Sequence, residues 1–240
     1  MTNNGISVVI PCLNEQGFLG SLLDDLSQQN IDNQEFEVIV VDNNSSDGTA
    51  EVAWNFAADN PEFNLKMIHE YDLGVSKARN RGARFASYST LVFLDADNRV
   101  TDTFLKTMQT KLSIHEVVGG TIRTTPDRFE LKGHLVFWIL EGIKILLPRP
   151  FGKSFVRKQI HDDLGGFNEN ITLGENLEYL MRVKSYARSN RLKFVHSKIG
   201  VSCSLRRFDE LGYVIVLFSW LKAYLGDFKQ KYPAMPNIQS

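Results

Sequence analysis

Two carboxylates separated by one residue, Asp95 and Asp97, follow the short apolar run Leu91-Val-Phe-Leu94. A short apolar run that stops at polar residues is typical of a buried strand in a parallel sheet, and ligands of open α/β sheets bind beyond the carboxyl ends of such strands. The two acids, here called the acidic pair, repel each other unless a cation compensates them. Hard divalent cations take oxygen ligands and leave positions for substrate phosphates. The pair suggests a metal-assisted site for a phosphorylated ligand, although such a triplet alone is more often a strand-end turn with solvated acids.

Polar groups also follow two earlier apolar runs. Ile6–Ile10 leads into Pro11-Cys-Leu-Asn-Glu15, and Phe36–Val41 leads into Asp42 and the polar loop Asn43–Gly48. Because parallel strands place their carboxyl ends at one edge of a sheet, we expect these groups to lie near the acidic pair. Asp42 could bind the edge of a base or a ribose hydroxyl, or it could cap the loop or helix that follows.

Cations precede the strand that ends at the acidic pair. Lys77, Arg79 and Arg81 lie on a predicted Ala-rich helix over residues 76–87 and cannot all face the same way. One or two of them could reach phosphates, for which Arg offers a fork and Lys a point charge. The alternative is an ordinary solvated helix face, which we assign to Arg84.

The order of elements predicts how these residues are positioned. The first half alternates strands and helices, which indicates βαβ units and a parallel sheet with right-handed crossovers. The second half is less regular. Its predicted elements are a strand at 117–122, an apolar helix within 124–151 that ends in a mobile or docking element at Pro148-Arg-Pro150, a turn at Gly165-Gly166, a helix over 175–187, strands at 193–195 and 200–203, and an apolar helix over 208–228.

Composition limits the classes of protein. With 240 residues, 43% hydrophobic and 23% charged, the chain can form one large globular domain or two small ones. A formal net charge of −1 argues against a general nucleic-acid binder. Cys12 and Cys203 are too few for a disulfide framework or a zinc site, so we expect a reducing compartment.

Membrane contact is an open question in the sequence. The N-terminus has no pattern of a signal peptide, and no run is long and apolar enough for a membrane span. Leu135–Leu147 and Tyr213–Leu221 come closest, and both are aromatic-rich and flanked by bases. They could lie on a membrane surface, or form core or oligomer helices.

Six segments resemble the motifs of family-2 glycosyltransferases in order and spacing. On the donor side these are Ser7-Val-Val-Ile-Pro-Cys-Leu-Asn-Glu15, Val41-Asp-Asn-Asn-Ser-Ser-Asp-Gly-Thr49, Ala78-Arg-Asn-Arg-Gly82 and Phe93-Leu-Asp-Ala-Asp97, and on the acceptor side Gly165-Gly-Phe-Asn-Glu169 and Gly174-Glu-Asn-Leu-Glu178. The resemblance spans about residues 6–207. It implies an α/β fold of the GT-A type, a nucleotide-diphosphate sugar donor, a Mg or Mn ion on the acidic pair, and inversion at the anomeric carbon.

The resemblance also implies roles for single residues. The nucleoside pocket would be lined by Pro11, Asn14 and Glu15, and the base would be held by Asp42. Asp95 would lie near the ribose or the metal, and Asp97 would bind the metal that bridges the diphosphate. Gly165 and Gly166 would let the backbone approach the donor sugar closely.

The chain departs from the family at Glu175-Asn176, where many relatives have Glu-Asp and the Asp is taken as the base. Asn cannot accept a proton at neutral pH. Glu175 or Glu178 could serve instead, the chain could carry an inactivating change, or the acceptor could need little help from a base. We favour Glu175; for both glutamates the alternative is a charge that complements the helix dipole.

Three further residues have weaker assignments. Arg206 and Arg207 resemble a basic segment that some relatives place over the diphosphate, and they could equally bind anionic lipid headgroups or be solvated. His196 could complete the metal site if its loop folds inward, although a lone His is more often structural.

Together these expectations describe one GT-A domain over residues 1–232. It comprises a nucleotide-sugar-binding half (1–100), an acceptor half (101–205) and a C-terminal apolar helix (206–232), followed by a flexible tail (233–240). The expected function is inverting transfer of a sugar, most commonly from a UDP-sugar, to a hydroxyl of a glycan, glycolipid or lipid-linked acceptor in bacterial surface polysaccharide or glycolipid synthesis.

We expect a cytoplasmic location, with peripheral contact to the inner face of the membrane and homo-oligomer formation as options. A rival is a non-catalytic sugar-nucleotide-binding or assembly protein that lost its base at Asn176. A nucleotidyltransferase is a second rival, but the Gly-rich basic loop that it needs after the first strand is missing from Pro11-Cys-Leu-Asn-Glu15.

Overall fold

The computed structural model describes residues 4–32, 35–146 and 150–225, without the side chains of 143–146, 221 and 223–225. The expected tail at 233–240, Pro148-Arg149 and the end of the last predicted helix lie outside these residues. The first half alternates strands and helices as predicted: β1 (Ile6–Cys12), α1 (Leu19–Ser27), β2 (Phe36–Asp42), α2 (Thr49–Asp59), β3 (Leu65–His69), α3 (Val75–Phe85) and β4 (Thr90–Phe93).

The second half contains more elements than its sequence pattern predicts. They are β5 (Asn98–Val100), α4 (Phe104–Leu112), β6 (Val117–Pro126), α5 (Leu131–Leu146), β7 (Ser154–Arg157), α6 (Lys158–Asp163), α7 (Glu175–Ser189), β8 (Lys193–Cys203), α8 (Arg206–Leu211) and α9 (Tyr213–Leu225). The two predicted strands at 193–195 and 200–203 are one strand, β8. The predicted final helix is divided at Gly212, which adopts a φ of 78° that interrupts helical geometry.

All eight described strands form one sheet in the order β3-β2-β1-β4-β7-β6-β8-β5. β1 pairs in parallel with β2 and β4, and β2 with β3, so these four strands have their carboxyl ends at one edge. β7 is antiparallel to both β4 and β6, β6 is parallel to β8, and β5 is antiparallel to β8. The sheet is therefore mixed but mainly parallel, and it continues without a break into the second half.

Helices cover both faces of the sheet, because the strands are apolar on both sides. Val8 and Ile10 of β1 pack with α1, α2 and α4, whereas the intervening Val9 packs with α3, α6 and α7. A third cluster, built around Phe137 and Phe208, joins α5, α8 and α9. Among the described residues, no helix is both long and apolar enough to cross a bilayer.

Candidate functional site

The ends of β1 and β2 lie side by side, since Cys12 pairs with Asp42. The loops that follow are fastened to each other. Asn14, in the left-handed region at φ 56°, accepts hydrogen bonds at its Oδ1 from the Ser46 backbone N at 2.8 Å and Ser46 Oγ at 3.3 Å, and its own N donates to Ser45 Oγ at 3.0 Å. Asn14 thus fastens the loop after β1 to the loop after β2, while Pro11 lies within β1 itself.

Asp42 is buried beside a partly exposed aromatic surface. Its Oδ1 accepts a hydrogen bond from the Ser45 N at 3.2 Å, and its Oδ2 lies 3.2 Å from His69 Nδ1. The His69 ring stacks on Tyr71, with 6.2 Å between ring centroids and 17° between planes, and meets the edge of Trp54. A carboxylate next to exposed flat rings is suited to a planar heterocycle with an N–H group.

Asp95 is held by two cations. Arg79 Nη2 donates to Asp95 Oδ1 at 3.0 Å, and Lys153 Nζ donates to Asp95 Oδ2. Burial acts to raise the pKa of the Asp95 carboxyl, but the charges of Lys153 and Arg79 outweigh it, so this pKa lies well below its usual range. Asp95 is therefore ionised and already has both of its oxygens occupied by protein groups.

Asp97 has the opposite environment. Burial and the charge of Asp95 raise the pKa of the Asp97 carboxyl, and Lys153, Arg206 and Arg207 only partly offset them. Asn98 Nδ2 donates to Asp97 Oδ1 at 3.1 Å. The carboxylate borders a cavity of about 200 Å³ whose other lining residues are Phe18, Ser21, Asn98, Arg99 and Asp127.

These two environments decide whether a metal would fit. The described part of the chain holds no group of three or more His, Cys, Asp and Glu side chains able to bind a metal by themselves. A Mg²⁺-type ion, however, often takes only one or two carboxylates and fills its other positions with substrate phosphates and water. Asp97, an acid destabilised in its ionised form by burial and a neighbouring charge, fits that arrangement, and Asp95 adds charge from behind.

Glu15 and Arg206 close this edge from opposite ends of the chain. Arg206 Nη2 donates to Glu15 Oε1 at 2.9 Å, and the guanidinium lies 4.4 Å from the Phe18 ring centroid. Burial raises the pKa of the Glu15 carboxyl, against the hydrogen bond from Arg206. Its Oε2 is buried with no hydrogen-bond partner among the described residues. Arg207 is the next residue of α8.

Arg79 joins the acidic pair to the start of α7. Its side chain is 4% exposed, and besides binding Asp95 it donates from Nη1 to Glu175 Oε1 at 3.0 Å. The guanidinium also lies 5.3 Å from the Phe167 ring centroid. Lys77, in contrast, points away to Asp72 at 3.0 Å on the exposed side of α3. The structure therefore brings Arg79, but not Lys77, to the acidic pair.

The two glutamates in the first turn of α7, Glu175 and Glu178, differ in how they are held. Arg182 binds both oxygens of Glu178, at 2.6 and 2.9 Å, and also donates to the backbone carbonyls of Leu164 and Gly166. Glu175 is 16% exposed, and its Oε2 has no protein partner within the described ranges. Asn176 has a buried Oδ1 that likewise lacks one. Glu178 thus supports the turn at 164–166, whereas Glu175 and Asn176 each keep an acceptor atom available.

The Gly165-Gly166 turn is left-handed, with φ of 73° and 70°. Asn80 of α3 fixes it: its Nδ2 donates to the Phe167 O at 2.9 Å, and its Oδ1 accepts from the Phe167 N at 2.8 Å. A Cβ on Gly166 would come within 2.5 Å of Asn80 Oδ1, whereas one on Gly165 would meet nothing within 4 Å. Contact with Asn80 thus explains the second glycine, and backbone conformation alone explains the first.

An aromatic cluster supports this turn from behind β4. It consists of Phe93, His161, Phe167 and Tyr179, with Phe167 and Tyr179 stacked at 4.0 Å between centroids. His161 Nδ1 and the Tyr179 hydroxyl are 2.8 Å apart. Burial lowers the pKa of His161 to about 4, so the ring is neutral near pH 7. The cluster fixes the position of Phe167, whose ring lies against the Arg79 guanidinium.

His196 does not reach the acidic pair. Its Nε2 lies 3.1 Å from Glu141 Oε2, and its Nδ1 lies 2.7 Å from Thr121 Oγ1. His196 pairs with Thr121 of β6, whereas the end of β8 next to Asn98 pairs with Pro126. These two positions are five residue steps apart along β6, or roughly 17 Å. The loop expected to fold His196 inward is instead part of the continuous strand β8, which keeps the imidazole away from Asp97.

Sequence reasoning missed Lys153, Asn80 and Arg182. Lys153 follows Gly152 in a short stretch before β7, and nothing in its spacing connects it to Asp95, 58 positions earlier. Asn80 offered a signal, since it lies between Arg79 and Arg81 in a segment already singled out. Arg182 is four residues after Glu178, the helical spacing of an ion pair.

Comparison with known proteins gives three kinds of similarity. The family model described as "Glycosyl transferase family 2" matches residues 7–168. "Glycosyltransferase AglE" of Haloferax volcanii is 30% identical over 220 residues, which cover 86% of this chain and 69% of that protein. A Campylobacter jejuni enzyme named "GalNAc(5)-diNAcBac-PP-undecaprenol beta-1,3-glucosyltransferase" is 32% identical over 106 residues, which cover 44% of this chain and 34% of the enzyme.

Two solved structures illustrate the structural similarity. "Mannosyltransferase PcManGT" of Pyrobaculum calidifontis, in complex with GDP-Man and Mn²⁺, gives a TM-score of 0.70 at 19% identity, covering 95% of this chain and 65% of that one. S. aureus TarS 1-349 in complex with UDP-GlcNAc gives a TM-score of 0.63 at 22% identity, and the match covers 83% of this chain and 58% of that one. Several of these proteins are longer, so the chain spans only part of their length.

Proposed function

Because the chain belongs to glycosyl transferase family 2, we propose that it transfers a sugar from a UDP-sugar to a hydroxyl group, with inversion at the anomeric carbon. Its class as a glycosyltransferase and its GT-A fold, both expected from the sequence, are confirmed. The observation that carries the proposal is the convergence of Asp42, Asp95 and Asp97 at the carboxyl ends of the parallel strands β2 and β4, on either side of β1. The identities of the donor, the metal and the acceptor, and the roles of individual residues, are proposals.

The nucleoside would bind between the loops after β1 and β2. Asp42 would accept a hydrogen bond from the base, whose ring would lie near His69 and Tyr71. Complexes of structural neighbours with UDP-GlcNAc and with GDP-Man support a nucleotide-sugar donor, and UDP is our choice. Asn14 would hold the pocket's edge through the loop contacts described above.

Asp97 would hold a Mg²⁺ or Mn²⁺ ion together with the diphosphate, and Asp95 would contribute its charge. When bound, the ion would neutralise the negative charge that develops on the leaving nucleoside diphosphate. Neighbours in complex with Mn²⁺ support this choice. Arg206 and Arg207, on α8 at the same edge, would add positive charge beside the diphosphate once Arg206 exchanges Glu15 for a phosphate oxygen.

Glu175 would act as the general base. Its Oε1 is fixed by Arg79, and its Oε2 would accept the acceptor's hydroxyl proton as the new C–O bond forms and the bond to the diphosphate breaks. The leaving UDP takes the electron pair of the broken bond. Asn176 would accept a hydrogen bond from a sugar hydroxyl at its unpartnered Oδ1.

For the acceptor we propose a hydroxyl of a lipid-linked glycan, in surface polysaccharide or glycolipid synthesis. The C. jejuni relative, whose name gives an undecaprenol-linked acceptor, supports this class. Such an acceptor would place the protein at the cytoplasmic face of a membrane.

Turnover of base variants tests this function. We expect Glu175→Gln to lower UDP release from UDP-sugars in the presence of Mn²⁺ and glycan acceptors by about 100-fold or more, the usual effect of losing a general base. Donor affinity should change little, because neutral Gln can still accept from Arg79. Glu62→Gln, at an exposed glutamate before β3, is the matched control, and it should retain turnover.

Asn176 supports a second candidate, a sugar-nucleotide-binding protein without catalysis. If the wild type binds donor without releasing UDP, and Asn176→Asp restores release, that candidate is correct and Glu175 is not the base. Metal-dependent UDP release by the wild type with a true acceptor would exclude it.

A further inference from the structure

Apolar side chains are exposed on α5 and α9, two helices that share the inner cluster around Phe137 and Phe208; these exposed side chains are here called the α5–α9 face. On α5 they recur at helical spacing, and on α9 they lie within one turn and a half. The exposed fractions are large for apolar residues: Leu131 76%, Leu135 55%, Trp138 75%, Ile139 45%, Val214 81%, Ile215 53% and Phe218 57%.

The same two helices also have an apolar inner side. Phe137 of α5 and Val216 of α9 are buried in the cluster that includes Leu205 and Phe208. Both helices therefore carry apolar side chains on an outer as well as an inner side, and a helix that is apolar on several sides is usually covered on them. An exposed surface of this kind marks an interaction site.

The charges of these helices indicate what covers the face. Together the helices carry three lysines, Lys132, Lys144 and Lys222, and one acid, Glu141. Glu141 turns inward: it is 13% exposed, accepts hydrogen bonds from Thr124 and faces His196. Among the charged side chains of these helices that the structure describes, Lys132 is exposed, Lys222 is half-buried and Glu141 faces inward, so the outward-facing charges are positive.

Aromatic and basic side chains are combined in the way a headgroup region favours. Lys222 Nζ lies 4.8 Å from the Phe218 ring centroid. Trp and Phe can enter the boundary of the acyl chains, while lysines reach out to lipid phosphates. Two nearby acids, Asp209 and Glu130, are paired with Arg128, at 2.6 and 3.3 Å, so they oppose such binding less than unpaired carboxylates would.

The short helix α8 connects the face to the donor edge. Its first residue, Arg206, binds Glu15, and two residues later Phe208 packs against Phe137 and Trp220 behind the face. A partner bound to the α5–α9 face would thus lie next to the site at which the sugar is transferred.

We propose that the α5–α9 face docks the protein on an anionic lipid bilayer. The proposal rests on the proposed function in one respect, since it explains how a lipid-linked acceptor is presented to the site. Apolar side chains would enter the outer boundary of the acyl chains, and Lys132 and Lys222 would contact lipid phosphates.

Vesicle flotation of the full chain tests the docking surface. We expect the protein to float with phosphatidylcholine vesicles that contain phosphatidylglycerol, and to float less with phosphatidylcholine alone. The double variant Trp138→Glu/Phe218→Glu should reduce the bound fraction by about ten-fold or more, because buried charge opposes insertion. The matched control is Phe85→Glu/Ile114→Glu, which alters two residues of 44% and 51% exposure outside these helices and should float like the wild type.

Three outcomes would overturn the proposal: no flotation of the wild type, unchanged flotation of the Trp138/Phe218 variant, or loss of flotation in both double variants. Light scattering addresses a second copy of the chain as occupant. A wild-type dimer that the Trp138/Phe218 variant alone converts to monomer, with no vesicle binding, would make the face a self-association surface. Thermal stabilisation by UDP-sugars needs no vesicles, so it shows separately whether the proposed function fails.

Discussion

Asp95 and Asp97 are two residues apart and differ in what surrounds their carboxylates. Arg79 and Lys153 occupy both oxygens of Asp95, so its charge is compensated inside the protein. Asp97 borders a cavity, and burial with the charge of Asp95 raises its pKa. The protein therefore supplies one fixed anion and one carboxylate that gains from an external cation.

This difference predicts a pH dependence for metal binding. A metal ligand must be deprotonated, and burial and the charge of Asp95 raise the pKa of Asp97 above its ordinary value in the folded protein. Manganese affinity, measured by titration calorimetry with UDP present, should be lost as the pH falls through that raised pKa. Asp97→Asn should abolish manganese binding at every pH. Asp127→Asn, which alters another residue of the same cavity, should keep both the binding and its dependence on pH. Affinity that stays constant to well below the ordinary carboxyl range would contradict this role.

The same shift has a consequence for the metal-free protein. A carboxyl whose pKa is raised on folding binds more protons in the folded state, so stability falls as the pH rises through that pKa. At neutral pH, Asp97→Asn should therefore raise the melting temperature of the metal-free protein. A melting temperature lowered by this change would show that Asp97 is compensated by the protein itself.

At the scale of residues, the sequence predicted the acids better than their partners. Asp42, Asp95 and Asp97 were predictable because each follows an apolar strand. Lys153 was not, since only the folded sheet brings β7 alongside β4 and thereby the lysine to Asp95. Contacts between residues far apart in the chain leave no local spacing to detect.

At the scale of elements, the turn after α6 shows how α3 positions the acceptor side. Gly165 and Gly166 share a left-handed conformation, but only Gly166 lies against Asn80. The turn is thus held by a side chain of the helix that also carries Arg79.

The two glycines provide a matched comparison. Gly165→Ala should cost about 1 kcal/mol of unfolding free energy, the usual strain of a non-glycine residue in this conformation. Gly166→Ala should cost roughly 2 kcal/mol more, because its Cβ would displace Asn80 from the Phe167 backbone and leave buried polar groups unsatisfied. Chemical denaturation measures both values. Equal costs would mean that Asn80 does not hold the turn.

Element prediction succeeded where the pattern was long. The alternating first half and the helix from Glu175 were predicted because several turns or a full buried strand carry the periodicity. β5 and β7 have three and four residues, too few for a period to show, and their pairing is imposed by β8, β4 and β6. The division at Gly212 depends on a single backbone angle.

At the scale of the whole molecule, one sheet serves both halves of the predicted domain. β4 and β7 join the halves, and Arg79 bridges Asp95 to Glu175 across that junction. The bounds of the domain and its division at residue 100 stay predictions. The continuous sheet supports treating donor and acceptor sides as one site.

The most direct test of the central claim is thermal unfolding with UDP-glucose, UDP-N-acetylglucosamine and GDP-mannose, each with and without Mn²⁺. At 100 times its dissociation constant, a ligand of the folded state stabilises it by about 2.7 kcal/mol, which a melting curve resolves. We predict stabilisation by a UDP-sugar that depends on Mn²⁺ and disappears in Asp97→Asn. Stabilisation by none of the three donors, or equal stabilisation of wild type and Asp97→Asn, would contradict the assignment of the carboxyl edge of β4 as the donor site.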